Sequence, residues 1–500
     1  MNVTLSFDRP IRASRPFGAL ALALVACVPH RDLHTRPDSS AGTAGSTSSG
    51  TGSSSGGSTT RGSGGGSGGP VVRGHVLLVS DDGVALASTP ALSRLSQTVR
   101  VLDNMGLAPP CEATSDQAWL AVTPCDHAGQ ELALTANAGN LQTDTVHYAT
   151  VRLSSTDSTV AGTDTIRVGF WVGSSTPDAA TTMASAFSEV VTDPIRPYVY
   201  AHNRGTDITI VNIYTSAVVE TISSDAARLG SMAVSSDGSY LFALDDTNFD
   251  IVTIDLVNRG RGPKWDLDAW CTSGLYLQYT RWNGVKLLFS SEGSVFDATV
   301  VTGARRVSTF NGGCGPIAAS QNGSRLCTLT SGISPYTVTC YALTATGDGR
   351  LVIGAPKEAR DGMFGKDVAL NADGTRVYVA SEDPFAFSVY GAATTETWMP
   401  REQLLEGAAF PNNVEVARDG RILGGAALDS ISPSLLSRFG DAGPKDADTW
   451  LYGPNGVFLR GYYLAAKESL LMPRQLKFSG DGLRLVALTR DSLHVLTAGP

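Results

Sequence analysis

Met232-Ala-Val-Ser-Ser-Asp-Gly238-Ser-Tyr-Leu-Phe-Ala243 sets an apolar run, a tight turn and a second apolar run end to end. Asp-Gly supplies the positive φ that a short hairpin demands. Apolar runs bounded by such turns read as strands. The pattern returns at Val368-Ala-Leu-Asn-Ala-Asp-Gly374-Thr-Arg-Val-Tyr-Val379, at Val414-Glu-Val-Ala-Arg-Asp-Gly420 and at Leu476-Lys-Phe-Ser-Gly-Asp-Gly482-Leu-Arg-Leu-Val-Ala487. Weaker copies turn on Asn-Gly at Gly284 and Gly323. The turn glycines stand 39 to 62 residues apart, about 49 on average, which is the length of one four-stranded propeller blade. A lone blade cannot bury both faces, and ring closure solves that problem. Six turns give six blades. Pro197-Tyr-Val-Tyr-Ala-His-Asn203 and Asp207-Ile-Thr-Ile-Val211 predict a seventh, with its first strand near Ala186–Val191. The last repeat ends at His494-Val-Leu496 without an outer strand. The expected class is all-β, with a seven-bladed propeller over residues 187–500.

The segments Tyr198-Val-Tyr-Ala-His-Asn203, Asp207-Ile-Thr-Ile-Val-Asn212 and Val218-Val-Glu-Thr-Ile222, with the Ser-x-Asp-Gly turns, resemble YVTN-type and lactonase-like seven-bladed propellers. The resemblance covers about three-fifths of the chain and implies a fold more than an activity, because propellers host many unrelated sites.

Residues 71–173 form an earlier unit. Thr98–Leu102, Ala118–Val122, Glu131–Thr135, Tyr148–Leu153 and Thr165–Trp171 alternate with period 2 and are bounded by turn residues, which predicts an immunoglobulin-like sandwich. Ala118-Trp-Leu-Ala-Val-Thr-Pro124, Leu132-Ala-Leu-Thr-Ala-Asn137 and Tyr148-Ala-Thr-Val-Arg-Leu153 resemble BACON domains, bacterial modules associated with carbohydrate binding. That resemblance suggests glycans and carries no binding residue across. Trp119 is expected to pack between the sheets. Residues 174–186 read as a linker.

Residues 1–26 have the three parts of a secretory signal. Arg9, Arg12 and Arg15 precede the apolar run Phe17–Ala26, whose 10 residues fall short of the roughly 20 that a spanning helix needs. Leu24-Val-Ala-Cys27 resembles the bacterial lipoprotein lipobox, which implies cleavage before Cys27 and a lipid on its thiol. The plainer alternative is ordinary secretion with a chance cysteine. Residues 27–70 follow as a tether, almost all Ser, Gly, Thr and Ala from 38 to 69. Such a chain buries too little to offset its ordering entropy, and its reach is roughly 30 Å. Gly52-Ser-Ser-Ser-Gly56 and Gly64-Gly-Gly-Ser-Gly-Gly69 match hydrolase and dinucleotide patterns by composition alone, without the strand and helix those motifs require. The expected location is the bacterial cell envelope, anchored by lipid, with the outer membrane or cell surface preferred.

The chain carries a formal charge of −9, and its first 70 residues contribute six Arg against three Asp. The body is therefore more acidic than the whole, which argues against a nucleic-acid partner. Beyond Cys27 there are six cysteines, an even number that fits disulfides in an exported protein. Cys111 and Cys125 bracket a predicted hairpin turning near Ser115-Asp-Gln117, and Cys327 and Cys340 bracket another at Gly332-Ile-Ser-Pro335. Cys271 and Cys314 remain as a third pair. No C-x-x-C occurs and the histidines are scattered, so no metal or cofactor is expected.

Trp265, Trp270, Tyr276, Tyr279 and Trp282 fall within 18 residues. On a rim they would stack on sugars or peptides; packed between blades they would be core. Asp245, Asp246, Asp250 and Asp255 form the densest acidic run and read as turn caps. No local catalytic constellation is legible. The expected function is that of a monomeric, membrane-anchored binding or scaffold protein for glycans or proteins. The alternative is an anchored lactonase-like hydrolase.

Overall fold

The computed structural model describes residues 74–499, apart from 124, 126–130, 268–270, 272–273, 304, 332–333, 384–385, 408–409, 427–446 and 465–469. The signal, Cys27, the tether and Trp270 lie outside the described residues. Among the described residues every regular element is a strand, and all of them fall in one compact unit.

Seven antiparallel sheets follow one another from residue 180 to the end. Their innermost strands are Glu189–Thr192, Leu229–Val234, Leu277–Trp282, Ile317–Ala319, Met363–Leu370, Pro411–Val416 and Leu471–Phe478, numbered here as blades 1 to 7. Each innermost strand touches the next, and blade 7 touches blade 1. The chain is thus a closed seven-bladed propeller around a central channel. Inner and middle strands such as Leu229–Val234 and Tyr240–Asp245 are almost wholly buried, whereas the outer strand Ala217–Ser223 is largely exposed. Stacking between blades buries both sheet faces, so these segments read as continuous apolar runs.

Blade 1 begins with Glu189–Thr192, at the place expected. The outer strand missing from the last repeat is Ala180–Ala184, which pairs with Ser492–Thr497. Part of the stretch read as a linker therefore belongs to blade 7. The physical reason is the open edge of Ser492–Thr497: pairing the two ends of the array satisfies that edge and locks the ring.

All six turn glycines have φ between +63° and +84°, a region that L side chains disfavour. The serine of the turn completes its chemistry. Ser235 Oγ donates to Asp237 Oδ1 at 2.7 Å and accepts from Tyr240 N at 2.9 Å. These turns join first to second strands, so all lie at one end of the channel. Blade 1 turns there through Asp193-Pro-Ile-Arg-Pro197 instead.

Residues 75–172 build two five-stranded sheets that share one core. Trp119 stacks on Phe170 within it, with ring centres 5.3 Å apart. The loop Ser80-Asp-Asp82 meets the turn end of the propeller. Ser236 donates to Asp82, and Gln321 to Asp81. Arg167 donates to Asp237 O at 3.0 Å. Trp171 stacks on Tyr214 at 6.0 Å inside a core cluster that both regions supply. A Cβ on Gly169 would lie 1.9 Å from Ile195 O, and one on Gly83 1.9 Å from Ser236 O. Only glycine permits that approach, so the sandwich is seated tightly on the propeller.

Three disulfides form, with Cα–Cα distances of 5.3 Å (Cys111–Cys125), 5.9 Å (Cys271–Cys314) and 4.1 Å (Cys327–Cys340). Cys327 and Cys340 face each other across a hairpin. Cys111–Ser115 and Leu120–Val122, however, belong to different sheets, so the first predicted hairpin is instead a crossing from one sheet to the other. Cys111–Ser115 finds its ladder partner in Thr145–Ser155.

Candidate functional site

Every innermost strand contributes to a chamber of about 300 Å³ on the propeller axis. Its charged and amide lining is Glu189, Gln278, Asp367, Glu415, Arg474 and Lys477, from blades 1, 3, 5, 6 and 7, with hydroxyls from Thr192, Ser231 and Tyr279. A second cavity of about 250 Å³ continues toward the sandwich, shares Gln278 and Tyr279, and is bounded by Ser80-Asp-Asp82.

Each inner strand is the edge of its blade, packed against the neighbouring inner strands and lining the channel with consecutive residues. A charge at a channel-facing position can survive within an apolar strand if it finds a partner. In Val414-Glu-Val416 and Leu476-Lys-Phe478 the charged residue stands five positions before the turn glycine. The same position holds Ala233, Ala318 and Ala369 in blades 2, 4 and 5. These small side chains leave the axis open.

Lys477 Nζ donates to Glu415 Oε2 at 2.9 Å, and Arg474 Nε to Asp367 Oδ1 at 3.3 Å. Backbone N–H groups of Phe478 and Val414 donate to Glu415 and Asp367 at 3.1 and 3.0 Å. Burial pushes the carboxyls of Glu415 and Asp367 upward, with Lys477 and Arg474 as the respective main opposing charges. Burial also works against the Lys477 ammonium, but Glu415 and Asp367 outweigh it and hold its pKa above the usual value. Glu189 accepts from Gln475 Nε2 at 2.9 Å, while Gln475 Oε1 accepts from Val190 N at 2.7 Å. Burial raises the Glu189 carboxyl too, opposed by the more distant Arg474 and Lys477.

The strand Leu471–Phe478 breaks register between Leu471 and Leu476, and Arg474 sits at φ +65°. A non-glycine residue there costs on the order of 1 kcal/mol. The result is that the guanidinium lies 3.8 Å above the Tyr276 ring of blade 3. Arg474 thus spans the channel at the end away from the sandwich, between Tyr276 and Asp367.

The aromatic cluster is not a rim surface. Trp265 is 1% exposed, packed between Phe242 and Phe296 at 5.4 and 5.7 Å. Tyr279 and Trp282 are likewise buried. Trp265 and Tyr279 are core between blades 2 and 3, where the outer strand of blade 2 leans on blade 3, and Trp282 is core between blades 3 and 4. Tyr279 also lines the chamber, and Tyr276 stands at the channel mouth beneath Arg474. Trp398, which stands in no sequence motif, is 52% exposed with the Arg360 guanidinium 5.3 Å from its ring. Asp245 and Asp255 cap turns, accepting from Ala227 N at 2.9 Å and Val257 N at 2.8 Å. His202 and His494 sit in blades 1 and 7 and bond within their surroundings, to Gly230 O at 2.8 Å and Thr182 Oγ1 at 3.1 Å. Among the described residues no group of three His, Cys, Asp or Glu is placed to hold a metal ion.

No family model and no curated protein matches the chain. Among solved structures, it is similar to the β-propeller domain of Cps50 (Swd1) from Myceliophteria thermophila, at 13% identity and a TM-score of 0.43, covering 64% of this chain and 99% of that one.

Proposed function

We propose that this protein is a lipid-anchored, extracytoplasmic binding protein that presents one end of a propeller to a glycan or protein ligand. The observation that carries the reading is the asymmetry of the propeller. The sandwich occupies one end through Gly83, Gly169 and Arg167, which leaves the other end as the face for recognition. The lipobox at Cys27 and the Ser/Gly tether support anchoring at a distance from a membrane. Three disulfides suit an oxidising compartment. The sandwich is read as the BACON-like, immunoglobulin-like module, here serving as a base for the propeller. Exposed Trp398 beside Arg360, in the loop between Ala386–Gly391 and Arg401–Glu406, is a second flat surface for a sugar ring, on the flank of blade 5 and outside that face.

One observation favours a second reading, an anchored lactonase-like hydrolase. Glu189 is a carboxyl raised by burial inside a cavity, the setting in which general acids and bases occur. Glycan and protein arrays probed with the full chain, beside a lactone and ester hydrolysis screen, separate the two. Array binding without turnover is expected. Turnover that disappears in Glu189→Gln would replace the binding reading with the enzyme.

A further inference from the structure

The charges in the chamber do not cancel. Asp367 is paired with Arg474 at 3.3 Å and Glu415 with Lys477 at 2.9 Å. Glu189 is left with a neutral amide: its Oε2 accepts from Gln475 Nε2 at 2.9 Å, and no described residue donates to its other oxygen. A half-buried carboxylate in that position is costly until a cation joins it.

We propose that the chamber binds a small primary amine in its protonated form, with Glu189 as its counterion. Four features select this class. The space, about 300 Å³, is at the lower bound for ligand pockets and suits a compact molecule. The two resident cations already hold carboxylates of their own, so an anionic ligand would have to break a pair, whereas a cation completes one. Gln278 projects into the same space. Its Nε2 donates to Tyr279 O at 2.9 Å, which leaves its carbonyl oxygen to accept from a second ammonium hydrogen or a hydroxyl. The blade 4 wall, Ile317-Ala-Ala319, is apolar and receives the carbon skeleton. This site is separate from the outer face on which larger ligands are proposed to bind, and it stands or falls independently of that reading.

Calorimetric titration of the full chain tests it, with ethanolamine and 2-amino-2-deoxyglucose as ligands and ethylene glycol and glucose as their uncharged counterparts. The amines bind at least tenfold more tightly than the counterparts. Glu189→Gln, which keeps the shape, lowers amine affinity at least tenfold. Glu220→Gln on the outer strand of blade 1, where Glu220 pairs with Arg259 at 2.8 Å, leaves it unchanged. Should Glu189→Gln fail to fold, hydrogen exchange of the unmutated chain answers the same question: saturating ethanolamine protects the peptide spanning Glu189–Thr192 and ethylene glycol does not. Equal binding of amines and uncharged counterparts, undiminished binding by folded Glu189→Gln, or equal protection by both small molecules would each overturn the proposal.

Discussion

The two ends of the propeller each hold an arginine that reaches beyond its own blade, and they use it differently. At the sandwich end, Arg281 donates to both oxygens of Asp164 at 2.8 and 2.6 Å and to Val79 O at 3.2 Å, with Asp82 at 3.8 Å. At the far end, Arg474 lies over the Tyr276 ring and makes one long contact to Asp367. The first is a multiply bonded anchor between two parts of the chain. The second is a strut held by weaker forces across a channel. The difference teaches which end of this propeller is built to stay shut and which can admit a ligand.

The contrast is broken most severely at Arg281. Arg281→Met removes the cation and leaves Asp164 and Asp82 without it at a buried interface. Losing one partner of such a group costs about 4 kcal/mol. Denaturant unfolding should show that loss, and limited proteolysis should cut between sandwich and propeller, near residue 175. A loss under about 1 kcal/mol would mean that the glycine contacts alone hold the sandwich in place.

Acid sharpens the comparison by acting on the ends separately. At the far end, His202 Nε2 donates to Gly230 O at 2.8 Å and Nδ1 accepts from Arg204 N at 3.0 Å. Burial lowers its pKa from 6.5 to about 4. A histidine held neutral contributes stability that is complete above its unfolded pKa and is lost as pH falls from about 6.5 toward 4. The loss amounts to about 3 kcal/mol. At the sandwich end, burial works against the Asp237 carboxylate, but Lys286 and nearby hydrogen bonds outweigh it and lower its pKa to about 2. Its contribution is present above the usual carboxylate value and is lost only as pH falls through about 2. Asp82, raised by burial, has the opposite sign and gains stability as pH falls. Hydrogen exchange at pH 7 and pH 4.5 should therefore show the peptides around His202 and Gly230 loosening first. His202→Gln should flatten that pH dependence. Equal loosening around Ser236–Ser239 would contradict the asymmetry.

The propeller was legible because its turns obey backbone chemistry: φ above zero selects glycine, and Ser-x-Asp satisfies the turn's own N–H groups. The seventh turn hid because Asp193-Pro-Ile-Arg-Pro197 reaches the same place with prolines. The closing strand Ala180-Thr-Thr-Met-Ala184 hid for another reason. It is an outer strand with no continuous apolar face, so only the unpaired edge of Ser492–Thr497 reveals it. The site was less legible. Aromatic density drew attention to Trp265 and its neighbours, yet nearness in sequence does not say which face a side chain takes, and packing between blades 2 and 3 buried Trp265 and Tyr279 while packing between blades 3 and 4 buried Trp282. The chamber charges come from four blades and leave no local motif. Their trace was a charge at an inner-strand position where other blades carry alanine, visible only once the turns had aligned the repeats.

The smallest expected effect is at Tyr276. A guanidinium over an aromatic face contributes about 1 kcal/mol. Tyr276→Leu keeps an apolar side chain at the mouth and removes the ring that Arg474 rests on. Stability should fall by about that amount, measured as a small shift of the denaturant midpoint. The informative reading is kinetic. With its rest gone, Arg474 retains only Asp367, so the mouth spends more time open and ethanolamine should enter and leave the chamber faster at nearly unchanged affinity. Arg281 has no such exchangeable partner, and no single aromatic substitution at the sandwich end should speed entry. A loss above about 3 kcal/mol for Tyr276→Leu would place Arg474 beside Arg281 as a structural anchor and make both ends of the propeller equally closed.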